Sequence, residues 1–282
     1  MDFKTIDWNA IWRDEATHSH WKNLSPKETW DRRAERFDKR VTRVMEGEPA
    51  DKDDYISKML ARIEVRPEWN VLDIGSGPGT LAIPLARKAK SITALDISPE
   101  MLKHLRANAG ACGLSNIEYL KSSWQDAFAG GRVAGHDIVV ASCSLMSGDM
   151  KEAVCHINNI ARRAAYITFP IVHLPFDWEA YKAIGRGAKK HPPYIYILNM
   201  LFQMGIPANV EILCSKVKVR FSSIDDAVDD LQWRTDPLSP EENLKLREFR
   251  EKKFAGQKDL PAFTHEGYSK WALIWWRTEN PE

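Results

Sequence analysis

The stretch VLDIGSGPGTLAIPLA, residues 71–86, moves from an apolar run into three alternating glycines and then into helix-patterned sequence. A short apolar run closed by glycine reads as a buried strand, and apolar residues at helical spacing follow it. A glycine loop between strand and helix lets a ligand approach bare backbone. The dinucleotide fingerprint is GxGxxG, with an acidic residue about 20 positions on. Gly75 and Gly77 fit its first two places, but Thr80 stands in the third and the remaining glycine is Gly79. That spacing argues against a loop that seats a pyrophosphate.

Outward from this loop the sequence alternates. The β-rich runs NVLDIG, SITALDI, NIEYLKS, HDIVVAS and AAYITFPI are separated by the helix-patterned segments TLAIPLARKA, PEMLKHLRANAGACG and DMKEAVCHINNIARRA. Such alternation predicts an α/β fold with a doubly wound, mostly parallel sheet. After Pro170 it stops. A long alternating run, NVEILCSKVKVRF, and a closing run, YSKWALIWWR, predict an antiparallel hairpin on the sheet edge. The charged helical segments SSIDDAVDDLQWR and SPEENLKLREFREKKFAG fall between them. Residues 1–65 read as a helical lid: Ser25, Pro26 and Glu28 suit an N-cap, first helical position and capping box. Residues 66–282 read as the main domain, with a cap inserted at about 175–265.

Composition sets bounds on function. The chain has 282 residues, with 40 Lys plus Arg against 39 Asp plus Glu, so no net field draws it onto phosphate backbones or acidic lipid. No run of 18 apolar residues and no basic, apolar leader occurs, and a cytoplasmic protein is expected. The four cysteines, Cys112, Cys143, Cys155 and Cys214, form no CxxC pair, so buried reduced thiols and no metal site are expected. Trp8 and Trp12 lie one helical turn apart. They read either as anchors of a helical arm or as an aromatic wall over a ligand.

Asp73, Gly75, Gly77 and Gly79 alternate in the manner of motif I of the class I S-adenosylmethionine-dependent methyltransferases, which this segment resembles. The resemblance spans residues 70–170 and implies a Rossmann-like fold, a methyltransferase activity and S-adenosylmethionine as cofactor, released as S-adenosylhomocysteine. It implies a cofactor loop of Asp73, Gly75, Ser76, Gly77, Gly79 and Thr80, whose glycines would otherwise collide with the methionine part. Asp96 stands 21 residues beyond Gly75, where the family binds the ribose hydroxyls. Ser98 is the better cap for the next helix, which leaves Asp96 for that role. By matching position, Ile97 and Met101 flank the adenine, and Ser123, Trp124 and Gln125 occupy the segment that meets its amine. The usual residue there is Asp, so Gln125 and Asp126 both stand as the amine partner. WDRRAERFDKRV resembles the helix that small-molecule methyltransferases place before motif I, with Phe37 over the cofactor.

The acceptor side follows the fourth strand. SCSL replaces the Asn-Pro-Pro-aromatic motif of base-modifying amino-methyltransferases, and Cys143 lacks the preceding proline of a cytosine C5 nucleophile. A small-molecule acceptor is expected and nucleic acid is not favoured. Ser142 is placed at the cofactor, and Cys143, Ser144, Tyr194, Trp8 and Trp12 at the acceptor. Asp149 and His173 are candidate bases, each also readable as structural. Two alternatives stand beside this: an RNA or protein methyltransferase that uses the basic stripe Arg32, Arg33, Arg36, Arg40 and Arg43, and a non-catalytic cofactor binder.

Overall fold

The computed structural model describes residues 5–18, 26–31, 33–35, 37–38, 41, 55–145, 147–172, 175–187, 192–232, 237–257 and 263–278. Five parallel strands form the centre: β1 (Asn70–Ile74), β2 (Ser91–Asp96), β3 (Ile117–Lys121), β4 (His136–Ser142) and β5 (Ala161–Val172). β6 (Asn209–Phe221) and β7 (Phe263–Arg277) complete a seven-stranded sheet of order β3-β2-β1-β4-β5-β7-β6. β7 runs antiparallel to both β5 and β6, the edge arrangement expected from the sequence.

Side chains alternate across this sheet, so neighbours in one strand enter different cores. Leu72, with Val139, Ile167 and Trp276, joins the core on one face; Val71, with Val140, Tyr166 and Leu273, joins the core on the other. Burial on both faces is why these strands read as nearly continuous apolar runs.

Three of the helices that cover the faces start at side-chain caps written into the sequence. α4 (Ala82–Ala86) follows the glycine loop and is shorter than the helical pattern at 80–89 predicts. Pro84 is tolerated because it lies in the first turn, where no intrahelical N–H bond is lost. Ser98 caps α5 (Pro99–Ala111), Ser123 caps α6 (Trp124–Ala129), and Asp149 caps α7 (Met150–Ile160). The helical pattern at 149–164 overruns α7: β5 begins at Ala161, which pairs with His136, so the parallel ladder claims residues whose periodicity was ambiguous.

α1 (Trp8–His18), α2 (Pro26–Asp31) and α3 (Tyr55–Leu60) precede the sheet, and Ser25 lies outside the described residues. α8 (Pro175–Ala183) and α9 (Tyr194–Gln203) connect β5 to β6, and α10 (Ile224–Gln232) and α11 (Pro240–Lys253) connect β6 to β7. A reciprocal Ser239 and Glu242 capping box opens α11. Ala180 of α8 and Ile184, which follows it, share a small core with Val228, Leu231 and Leu246 of α10 and α11. None of the four cysteines forms a disulfide; Cys112 and Cys155 are half-buried and Cys143 and Cys214 exposed, which corrects the expectation of buried thiols. Among the described residues no helix is long and apolar enough to cross a membrane.

Candidate functional site

Strand order reverses between β1 and β4: the chain steps outward from β1 through β2 to β3, then returns to the other side of β1. Connections therefore diverge at the carboxyl ends of β1 and β4 and leave a crevice there, the usual ligand site of an open parallel sheet. The glycine loop leaves β1 on this edge, Asp96 ends β2, and Ser142 ends β4.

The glycines divide by role. Gly75, Gly77 and Gly79 all have positive φ, at 71°, 54° and 101°. A Cβ on Gly75 would lie 2.3 Å from Ser144 Cβ, and one on Gly79 would lie 2.3 Å from Leu105 Cδ1. The protein's own packing therefore already requires glycine at these two positions. At Gly77 a Cβ would meet only Met101 Sδ, at 4.0 Å. Gly77 alone of the three therefore leaves a cradle.

Two buried polar atoms beside this cradle, Asp73 Oδ2 and Ser76 Oγ, have no hydrogen-bond partner among the described residues. Burial, and then the charge of Asp96, raises the Asp73 carboxyl to about 7. Asp96 is not left free by Ser98. Its Oδ2 accepts the Gly77 N–H at 2.8 Å and its Oδ1 accepts the Ser98 N–H at 2.9 Å, while Ser98 caps α5. Burial raises the Asp96 carboxyl and these N–H donors oppose the rise. A carboxylate has about four lone-pair sites, so accepting two N–H groups leaves capacity for hydroxyl donors. Unpartnered polar atoms, an open backbone cradle and a nearby carboxylate fit a ligand with a polar amino-acid end and a diol.

The Asp73 carboxyl keeps its proton to about 7 in the fold against 3.8 in the unfolded chain, so the folded state binds more protons between those values. Its contribution to stability is therefore greatest at low pH and declines as pH rises from about 4 to about 7. Asp73→Asn is uncharged throughout. Its melting temperature should exceed that of the wild type at pH 8 by on the order of 5 °C, with the gap closing toward pH 5. A gap that does not change with pH would remove Asp73 as its source.

The amino-terminal segment reaches the same edge. Ser98 Oγ donates to Asp31 Oδ1 at 2.5 Å, and Asn108 Nδ2 donates both to Asp38 Oδ1 at 2.7 Å and to the Pro78 carbonyl at 3.1 Å. Asn108 thus ties the segment carrying Phe37 to the glycine loop, with the Phe37 ring edge-on to Trp30 at 6.4 Å. Farther along, the Tyr55 hydroxyl lies 2.7 Å from Ser142 Oγ and 2.7 Å from Thr168 Oγ1. Its ring faces Trp271 at 5.3 Å. No local pattern in the sequence marks Asp31 or Tyr55.

The other expected site residues divide. Ile97 is half-buried and Met101 is buried beside Gly77. Thr80 is half-buried at the loop's end. Ser123 caps α6, Gln125 and Asp126 are exposed, and Trp124 is buried against Phe128 and His156. Ser144 Oγ donates to the Ile74 carbonyl, which draws the end of β4 against β1. Cys143, exposed, holds φ 55°.

Trp12 is fully buried, edge-on to Phe169 at 5.8 Å, and its Nε1–H donates to the Ser147 carbonyl at 2.8 Å. It anchors the arm in the core. Trp8 faces Tyr196 at 5.6 Å, and Tyr194 packs against the same core. Asp149 caps α7, accepts from Asn9 Nδ2 at 2.9 Å and pairs with Arg13. Burial pushes its carboxyl upward, but the Glu152 N–H, Arg13 and Asn9 outweigh that and lower it. A stabilised carboxylate of that kind is a poor proton acceptor. His173 lies outside the described residues.

Residues 71–165 match the family model described as "Methyltransferase domain". An uncharacterised protein of Haemophilus influenzae is 30% identical over 281 residues, covering 99% of this chain and 100% of the relative. The 23S rRNA (uracil(1939)-C(5))-methyltransferase RlmD of Photobacterium angustum is 34% identical over 68 residues, 24% of this chain and 31% of that enzyme. The crystal structure of a putative methyltransferase from Bacillus halodurans shares the fold with a TM-score of 0.53 at 16% identity, covering 79% of this chain and 98% of that one.

Proposed function

The chain belongs to the class I S-adenosylmethionine-dependent methyltransferases, and on that premise we propose that it methylates a small molecule held beneath its own amino-terminal segment. One observation carries the choice of acceptor. Tyr55 is hydrogen-bonded to Ser142 at the carboxyl end of β4 and to Thr168 beside it on β5, so the acceptor side of the crevice is roofed by the chain itself. A roofed site admits a compact acceptor more readily than a polymer.

The donor, when bound, supplies an activated methyl on a sulfonium. The chain's residues supply its seat. The Gly77 cradle, the Ser76 hydroxyl and Asp73 would hold the amino-acid end, and Asp96 would accept from the ribose hydroxyls. Asn108 and Asp38 hold the lid segment onto the loop and help to keep water from the crevice. Charge is neutralised in the transfer, so orientation in a dry site accounts for much of the rate.

Gly77→Ala tests the cradle. The new methyl meets no protein atom closer than 4.0 Å but must adopt a positive φ, so the variant should fold with a loss of about 1 kcal/mol. Calorimetry should show S-adenosylhomocysteine bound about tenfold more weakly or worse; unaltered affinity would place the cofactor elsewhere. The acceptor class is tested with tritiated S-adenosylmethionine and a cell extract split into small-molecule, RNA and protein fractions. Label is expected in the small-molecule fraction. Label confined to RNA or protein overturns the proposal, and formation of no S-adenosylhomocysteine with any fraction would favour a binder.

A further inference from the structure

We propose that Tyr55 is the positioning residue of the transfer site, fixing the Ser142–Ser144 turn against which the acceptor is held; this rests on the small-molecule reading above. The turn is pinned at three successive residues. Ser142 Oγ meets the Tyr55 hydroxyl at 2.7 Å, the Cys143 N–H donates to Thr168 Oγ1 at 3.1 Å, and Ser144 Oγ donates to the Ile74 carbonyl. Thr168 Oγ1 is in turn 2.7 Å from the Tyr55 hydroxyl, so two of these three pins meet at one phenol.

The turn needs such support. Cys143 stands at φ 55°, a conformation that L residues adopt only where the surroundings impose it. Relaxation at Cys143 would also move Ser144, whose Cβ already fills the space in front of Gly75. The end of β4 and the glycine loop are therefore set against each other, and Tyr55 sets the β4 side. Its ring is braced by Trp271 at 5.3 Å, and α3 is tied to β6 by Lys58 on the Cys214 carbonyl and by the Arg62 to Glu211 pair that follows the helix. Burial, and then the neighbouring Cys143, raise the phenol well above its usual value, so it stays a neutral hydrogen-bonding group and does not act as a base.

The experiment compares Tyr55→Phe with wild type by amide hydrogen exchange on the full chain. The substitution keeps the ring and removes only the hydroxyl. Exchange at the Cys143 amide should speed at least tenfold, while the Val139 and Val140 amides stay within about twofold. Thr168→Val, which removes the acceptor of the Cys143 N–H, should give the same local effect, and the double variant should add little to either. Methyl transfer to the labelled small-molecule fraction should fall about tenfold in Tyr55→Phe. A Cys143 amide within twofold of wild type, additive effects of the two substitutions, or an unchanged transfer rate overturns the assignment. General destabilisation would speed Val139 and Val140 alongside Cys143 and also overturns it; should Tyr55→Phe not fold, Ser142→Ala, which removes the phenol's direct bond to the turn, takes its place, and a Cys143 amide within twofold of wild type in that variant overturns the assignment. Wild-type protein that binds no S-adenosylhomocysteine would instead sink the parent reading, so the two failures are distinguishable.

Discussion

Asp96→Ala lowers affinity for S-adenosylhomocysteine about a hundredfold when titrated by calorimetry. The ribose hydroxyls would lose a half-buried charged acceptor, and hydrogen bonds to charged groups contribute about 1.5–3 kcal/mol each. Asp96 also braces the loop by accepting the Gly77 and Ser98 N–H groups. The variant should therefore lose some stability as well as affinity. Asp96→Asn separates these roles: it keeps the shape and one carbonyl acceptor, and should retain more of both. If Asp96→Ala melts lower but binds as before, Asp96 is a loop brace alone.

Trp12→Ala costs about 3–5 kcal/mol of unfolding free energy, the range for removing a fully buried large aromatic. Trp12 is 0% exposed and lies in the core with Leu72, Phe169 and Trp276. The substitution also strands the Ser147 carbonyl that accepts the indole N–H. In a chain of this size the melting temperature should fall by about 10 °C. A loss under about 1 kcal/mol by urea denaturation would mean that the arm is an appendage.

The fold was legible because its signals are local. Alternating strand and helix patterns marked the parallel units, and the glycine spacing placed a loop at the end of β1 with Asp96 at the end of β2. Even the edge hairpin could be read from the long alternating run and the closing run. Roles set by distant partners could not. Tyr55 meets Ser142 and Thr168 across 87 and 113 residues, and nothing near it in sequence signals either contact. Asp149 is a candidate base by position, but Asn9 and Arg13 arrive from the far end of the chain and stabilise its charge. Gly75 and Gly79 carried the motif, yet what excludes a side chain there is Ser144 and Leu105, which only the packed structure brings close.

The seat of the arm has a consequence for biosynthesis. Trp12 rests on Ser147 and Phe169, and Trp8 on Tyr196. At about 5–20 residues per second, the ribosome needs on the order of ten to forty seconds after making the arm to deliver that seat. Through that interval the arm's apolar surface has nowhere to dock. The arm is thus made before the residues it rests on and reaches its native place only after they have been delivered.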